Sequence, residues 1–145
     1  MDLQITKLND LAKTPTRGSD DAAGLDLYAA IESNIVLRPN ETKLIGTGIK
    51  IALPQGTFGG IFARSGLALK QGLRPANCVG VVDSDYRGEV GVALHNDSNI
   101  EQIVYPGERI AQLIVIPYVT VFPVVVDDLN ETERGSGGFG STGVW

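Results

Sequence analysis

Cysteine, histidine and aromatic residues are scarce in this chain. Cys78 is its one cysteine and His95 its one histidine. An intrachain disulfide is therefore impossible, and so is a zinc site built from clustered cysteines and histidines. A lone thiol suits a reducing compartment, so a cytoplasmic protein is expected. Phenylalanine, tryptophan and tyrosine together make up 6% of the residues. Long apolar runs are lacking, and none approaches the roughly 18 residues that a membrane helix requires. Met1-Asp2-Leu3-Gln4 offers no basic region leading into an apolar segment, so neither a signal peptide nor a membrane partner is expected. There is no long basic run, and the net charge is −5. That disfavours a protein that grips nucleic acid through many phosphates, whereas a single triphosphate needs only a few local cations.

What is present is a globular composition, 43% hydrophobic and 20% charged over 145 residues, enough for one domain. A core of this size leaves much apolar surface exposed, which self-association would help to cover. Strand signals dominate. Leu3–Leu8 is a short alternating segment. Ile35-Val36-Leu37 stops at the turn sequence Arg38-Pro39-Asn40-Glu41, and Ile45–Leu53 stops at Pro54-Gln55-Gly56. Thr57–Phe62 follows. Val90, Val92 and Leu94 alternate with Gly91, Ala93 and His95, the period of a half-buried strand. Pro106-Gly107 precedes the segment Ile110–Ile116. Val119–Val126 is β-branched and apolar, with Pro123 arguing for an edge or a bulge. Short strands between glycine and proline turns predict an all-β sandwich or barrel. The best helical segment is Gly66–Gln71, of one to two turns. The pattern predicts a β domain over residues 1–126 and a flexible arm over residues 127–145. Gly135–Gly143 holds five glycines in nine residues, too little to build a core.

Several fragments carry chemistry ambiguously. Gly135-Ser136-Gly137-Gly138-Phe139-Gly140 spells G-x-G-x-x-G, but a dinucleotide site needs a strand before it and a helix after it, and a polar stretch precedes it here. Arg134, the free amides, Ser141, Thr142 and the single aromatic Phe139 could instead clamp phosphate and base, because glycines let backbone N–H groups approach oxygens closely. Asp83-Ser84-Asp85-Tyr86-Arg87-Gly88 resembles the start of a calcium loop but fails, since Arg87 replaces an oxygen ligand. It reads as a polar turn, or as a carboxylate placed to orient a water. Arg64-Ser65-Gly66 is either an ordinary strand-to-turn junction or a cation, hydroxyl and amide facing an anion. His95 reads as a strand-surface residue with no identifiable orienting Asp or Asn, and Cys78 as a packed small apolar side chain.

Taken in order, these fragments are far more specific. The chain resembles the trimeric deoxyuridine triphosphatase family in five motifs. They are Ala22-Ala23-Gly24-Leu25-Asp26-Leu27, Ala63-Arg64-Ser65-Gly66-Leu67-Ala68, Asn77–Glu89, Gly107-Glu108-Arg109-Ile110-Ala111-Gln112-Leu113, and Arg134–Gly143. The resemblance implies a jelly-roll-like β fold and a homotrimer whose sites are shared between chains, with the glycine-rich arm closing over the ligand. It implies Mg²⁺-assisted hydrolysis of dUTP to dUMP and pyrophosphate, which limits uracil in DNA and supplies dUMP for thymidylate synthesis.

Residue by residue, it implies that Asp83 activates the attacking water and that Tyr86 lies under the deoxyribose. Asn77, with backbone from Val81, Val82 and on to Gly91, would read the uracil edge. Arg64, Ser65, Gly66 and Gln112 would bind phosphates. Arg134 would reach the γ-phosphate and Phe139 would stack on the uracil, beside Gly140 and Ser141. Mg²⁺ would be held mainly by the triphosphate, with Asp26 touching its waters. Two other readings compete. A dCTP deaminase of the same fold needs a catalytic glutamate beside the base, and Glu89 instead continues the hydrolase pattern Tyr86-Arg87-Gly88-Glu89. A non-catalytic nucleotide-binding module of the same fold would not need the intact Asp83 and Arg134.

Overall fold

The structure, a computed structural model, describes residues 2–141 and Gly143. Thr142, named above in the phosphate-and-base clamp, lies outside the described residues. Twelve short strands and one helix follow one another as β1 (Gln4–Lys7), β2 (Thr16–Arg17), β3 (Leu25–Tyr28), β4 (Ile35–Leu37), β5 (Thr42–Gly46), β6 (Ile49–Ala52), β7 (Thr57–Phe62), α1 (Ser65–Gln71), β8 (Leu73–Pro75), β9 (Gly80–Val82), β10 (Gly91–Asn96), β11 (Gln102–Val104) and β12 (Arg109–Pro117). The all-β expectation holds, and the one helix lies where the sequence placed it.

Every pairing is antiparallel. The largest sheet has the order β2-β3-β12-β7-β9, and a second has the order β5-β10-β8. Two ribbons, β1-β6 and β11-β4, complete the strands. In β10 burial alternates as the sequence predicts: Val92, Leu94 and Asn96 point inward and the residues between them are partly exposed. Those side chains meet Leu27, Leu37, Ile45, Ile49, Ile110 and Leu113 in one continuous core. At 25–30 cal/mol per Å² of buried apolar area, this core is the main favourable contribution to folding.

Two strand expectations are corrected. Ile45–Leu53 is not one strand. It breaks at Gly46-Thr47-Gly48 into the end of β5 and the whole of β6, because Gly48 takes φ 67° and turns the chain sharply. Val119–Val126 forms no strand within the chain. β12 ends at Pro117, and the Tyr118 amide donates to the Gly56 carbonyl at 3.1 Å. Beyond that point the valines stand in solvent, with Val125 99% exposed. The composition suits a strand, but no sheet edge of the same chain lies alongside it.

Asn96 is the one fully buried amide side chain among the described residues. Its Nδ2 donates to the Leu37 carbonyl at 2.9 Å and the Ile100 carbonyl at 2.8 Å, and its Oδ1 accepts from the Ser98 amide at 2.9 Å. It ties β10 to β4 and to the turn before β11. Asn96→Leu keeps the branched shape but strands these partners. The variant should lose about 1–3 kcal/mol of stability for each buried group left unpaired, measured by urea unfolding at fixed chain concentration.

Candidate active site

β9 is an edge strand. Its Gly80, Val81 and Val82 pair with Ile61, Gly60 and Gly59 of β7, and the opposite edge has no strand partner among the described residues. That open edge faces the start of β10, and between them lies a pocket of about 260 Å³. Asn77, Val81, Val82, Asp83, Tyr86 and Gly91, six of the residues singled out in the sequence, line it. Val81 is 63% exposed there. Leu44, Ile61 and Glu89 also line the pocket; sequence reasoning gave Leu44 and Ile61 no role in it, and Glu89 none beyond the backbone run from Val81 to Gly91. Glu89 was visible only as part of the third motif, and Leu44 left no signal.

Asp83 follows β9 directly and opens a tight turn, closed by the Tyr86 amide donating to the Asp83 carbonyl at 3.1 Å. Among the described residues its carboxylate accepts no hydrogen bond, and it is exposed. The polar-turn reading and the water-orienting reading of this fragment are thus compatible. The Tyr86 hydroxyl donates to the Glu89 carbonyl at 3.0 Å.

A second cluster forms at the end of β7 and across β3 and β12. Asp26, Gln112 and Phe62 lie opposite one another in adjacent strands. The Asp26 carboxylate accepts from Arg64 Nε at 3.0 Å through one oxygen and from Arg109 Nη1 at 3.1 Å through the other. Arg64 also donates to the Arg109 carbonyl at 3.2 Å. The Asp26 side chain is only 13% exposed, while that of Arg109 is half exposed. Two cations around one carboxylate leave a net positive charge, which suits an anion with several charges. Gln112 donates to the Ala63 carbonyl at 2.9 Å. A side chain at Gly24 would run into the Gln112 amide, so the glycine leaves that amide room in its present position. Ser65 and Gly66 are exposed at the start of α1 beside Arg64. Sequence reasoning missed Arg109, although it stands inside the fourth motif.

The structure does not bring all the expected residues together. Neither Arg64 nor Gln112 is among the residues lining the β9–β10 pocket. The arm makes its own turns: Arg134 Nε donates to the Gly137 carbonyl at 2.9 Å, and the Ser141 amide to the Gly138 carbonyl at 3.0 Å. Phe139 is fully exposed, and Gly140 has φ 90°.

Cys78 is not packed, as the sequence suggested. It is exposed with φ 63°, because the chain must turn between β8 and β9 to present Asn77. Arg74 backs this turn, with Nη1 3.5 Å from the Cys78 sulfur and Nε donating to Asp97 Oδ2 at 2.7 Å. His95 is a partly covered strand residue, bonded to the Thr42 hydroxyl at 2.8 Å. Asp97 approaches it at 3.5 Å, an acidic neighbour that the sequence did not reveal. None of Cys78, Arg74, His95 and Asp97 lines the pocket.

The Arg74 hydrogen bond holds the Asp97 carboxyl below its ordinary value. A lowered folded-state value adds stability at pH above the unfolded value, about 3.9, and that stability is lost as the pH falls through the folded value. Carboxyl NMR titration of Arg74→Met should show the Asp97 midpoint moving up toward the free value, with the acid-limb loss of stability reduced.

Comparison with known proteins agrees with this geometry. The sequence profile of the dUTPase family matches residues 10–143. A deoxyuridine 5′-triphosphate nucleotidohydrolase from Hydrogenobaculum is 45% identical over 144 residues, covering 99% of each chain. One from Arabidopsis thaliana is 50% identical over 141 residues, covering 97% of this chain and 82% of its own. Among solved structures, a glycine-to-serine mutant of the Staphylococcus bacteriophage 80alpha dUTPase with dUpNHpp superposes with a TM-score of 0.90 at 29% identity, covering 99% of both chains. With the pocket, the arginine cluster and all five motifs in place on a jelly-roll-like fold, this chain belongs to the dUTPase family.

Proposed function

We propose that the β9–β10 pocket receives the uracil and deoxyribose of dUTP, and that the chain hydrolyses dUTP to dUMP and pyrophosphate. The observation that carries this reading is the open edge of β9. Its backbone groups are fixed by pairing to β7 on one side and free on the other. Uracil presents a carbonyl, an N–H and a second carbonyl along one edge, a pattern that a fixed backbone can match. Cytosine inverts part of that pattern, and each unmatched buried group costs about 1–3 kcal/mol. Asn77 and the backbone of Val81, Val82 and Gly91 read the base. Tyr86 lies under the sugar and leaves no room for a 2′-hydroxyl.

The Asp83 carboxylate, free of intrachain partners among the described residues, orients the attacking water and takes its proton. The bond between the α- and β-phosphates breaks, and pyrophosphate departs. Such a reaction needs in-line positioning and charge neutralisation and little covalent chemistry from the protein. Arg64, Ser65, Gly66 and Gln112 bind the phosphates. Arg134 reaches the γ-phosphate, Phe139 covers the base, and the Gly140 and Ser141 amides complete the lid.

Mg²⁺ would be held mainly by the oxygens of the triphosphate. The Asp26 carboxylate in the arginine cluster supplies hard oxygen donors, the ligand type that Mg²⁺ and its water shell take. Asp26 would reach its water shell on release from one of its two arginines. When bound, the ion neutralises phosphate charge.

The working unit is a homotrimer. The pocket, the arginine cluster and the arm belong to separate regions of one chain, and the bare Val119–Val126 strip finds its strand partner on a neighbouring copy. In that assembly residues 1–126 form the domain and residues 127–145 the arm. No helix of the described residues is long and apolar enough to cross a membrane, and the lone free thiol suits the cytoplasm.

Asp83→Asn should keep dUTP binding and lose turnover by about 10²–10⁴-fold, the usual worth of a general base. Pyrophosphate release with dUTP, alongside ammonia release with dCTP, measures this and separates hydrolase from deaminase. Near-native turnover would show that another group takes the proton.

Truncation after Thr132 should leave a folded trimer by analytical ultracentrifugation, because the removed segment carries few apolar side chains to bury. Turnover should fall severely, since Arg134 and Phe139 leave with it. In the intact chain, hydrogen exchange of the arm amides should slow when a non-hydrolysable dUTP analogue and Mg²⁺ are added. Native turnover by the truncated chain would remove the arm from the mechanism.

A further inference from the structure

The ring assigned to sugar selection stands on an exposed turn, and Tyr86 itself is 46% exposed. A side chain in that position samples several rotamers unless something holds it. Two contacts do so, and both lead to one place. The ring lies across Gly88, where any Cβ would run into the phenol. The hydroxyl donates to the Glu89 carbonyl at 3.0 Å. That bond fixes the ring only as well as the Glu89 peptide is itself fixed.

The Glu89 peptide is fixed from the far side, by the corner between β5 and β6. The Glu89 carboxylate accepts the Gly48 amide at 2.8 Å, a charge-assisted bond of the stronger kind. The next residue, Val90, accepts the Thr47 hydroxyl at 2.5 Å and donates to the Ile49 carbonyl at 2.9 Å. Thr47 and Val90 are both 1% exposed, so these bonds are shielded from water. The corner is shaped for the carboxylate. Gly48 takes φ 67°, and a Cβ on Gly46 would stand 2.6 Å from Glu89 Oε1. Glu89 is 41 residues from Gly48 in the chain, yet it joins that corner to the wall of the pocket.

We infer that Glu89 is a positioning residue for sugar selection: its carboxylate, seated on the Gly46–Gly48 corner, holds the peptide that aims the Tyr86 ring. The inference rests on the reading of Tyr86 as the ring beneath the deoxyribose. It adds that the dUTP-over-UTP preference is set partly by residues that touch neither sugar nor base. Misplacing a contact by about 1 Å can cost 10²-fold, so a loosened ring should admit the 2′-hydroxyl.

The test compares the ratio of kcat/KM for dUTP and UTP in a set of variants checked for folding by circular dichroism. Tyr86→Ala is the control for the underlying reading and should lower the ratio. Glu89→Ala should lower it about tenfold, the equivalent of one hydrogen bond. Glu89→Gln keeps an acceptor oxygen and should retain most of the ratio. Gly46→Ala leaves Glu89 in place but displaces its carboxylate, and should act like Glu89→Ala. Tyr86→Phe should lower the ratio similarly, and adding Glu89→Ala to it should lower it little further, because both remove the same link. If Tyr86→Ala lowers the ratio while Glu89→Ala and Gly46→Ala leave it native, the inference is overturned and the reading of Tyr86 stands. If Tyr86→Ala itself leaves the ratio native, that reading falls and takes the inference with it. Additive losses in the double variant, or a Glu89→Gln as impaired as Glu89→Ala, would also overturn it. Should Glu89→Ala not fold, Gly46→Ala decides the question.

Discussion

Backbone hydrogen bonding along both edges of β12 governs where the charged groups of this chain can stand. The strand pairs with β3 on one side and β7 on the other, and Gln112 sits opposite Asp26 and Phe62 together. A sheet register admits only two-residue steps if inward side chains are to stay inward. Once Ala111 and Leu113 are committed to the core, the first, second and fourth motifs are locked at one level of the sheet. Arg64 and Arg109 then meet Asp26 without further choice. A carboxylate held by two arginines that are themselves partly solvated adds little to stability. What it does is hold both guanidinium groups at a set separation, the arrangement that the proposed polyphosphate contact would use.

The second sheet is constrained differently. β10 pairs with β5 and β8 and is anchored inside by Asn96. Its first residue, Gly91, lies opposite Gly46. The approach of two glycines brings the pocket wall and the β5–β6 corner together. The pocket is thus the gap between two independently fixed sheets, with one exposed tight turn, Asp83–Tyr86, carried across it.

Much of this could be read from the sequence, for identifiable reasons. β10 was legible because one of its faces is buried and the other is not, so its alternation survives in the residue types. The short α1 was legible because it is the one stretch of good helix formers between turns. β3, β8, β9 and β11 were not: three or four residues are too few to establish a period, and motif residues such as Asp26 and Gly80 interrupt it. The break at Gly46-Thr47-Gly48 was hidden inside an otherwise continuous apolar run. Val119–Val126 misled in the opposite sense, because residue preference reports what a segment can pair with and not whether a partner lies in the same chain. Within the site, the pocket residues were legible through their motif. The Arg109–Asp26 and Glu89–Gly48 contacts were not, since they join residues far apart in sequence and depend on the sheet registers.

An unpaired strand edge is ordinarily a hazard, since it can template the growth of foreign β-structure and so begin aggregation. β9 keeps its edge open and yet has the features that blunt such growth. It is only three residues long, too short to register a fourth or fifth ladder bond. The chain leaves it at once through Asp83 and Asp85, whose charges an incoming strand would have to desolvate. A glycine opens it. An edge this short and this acidic is poorly suited to recruit a peptide, yet its backbone groups remain available to a small flat ligand of the kind proposed.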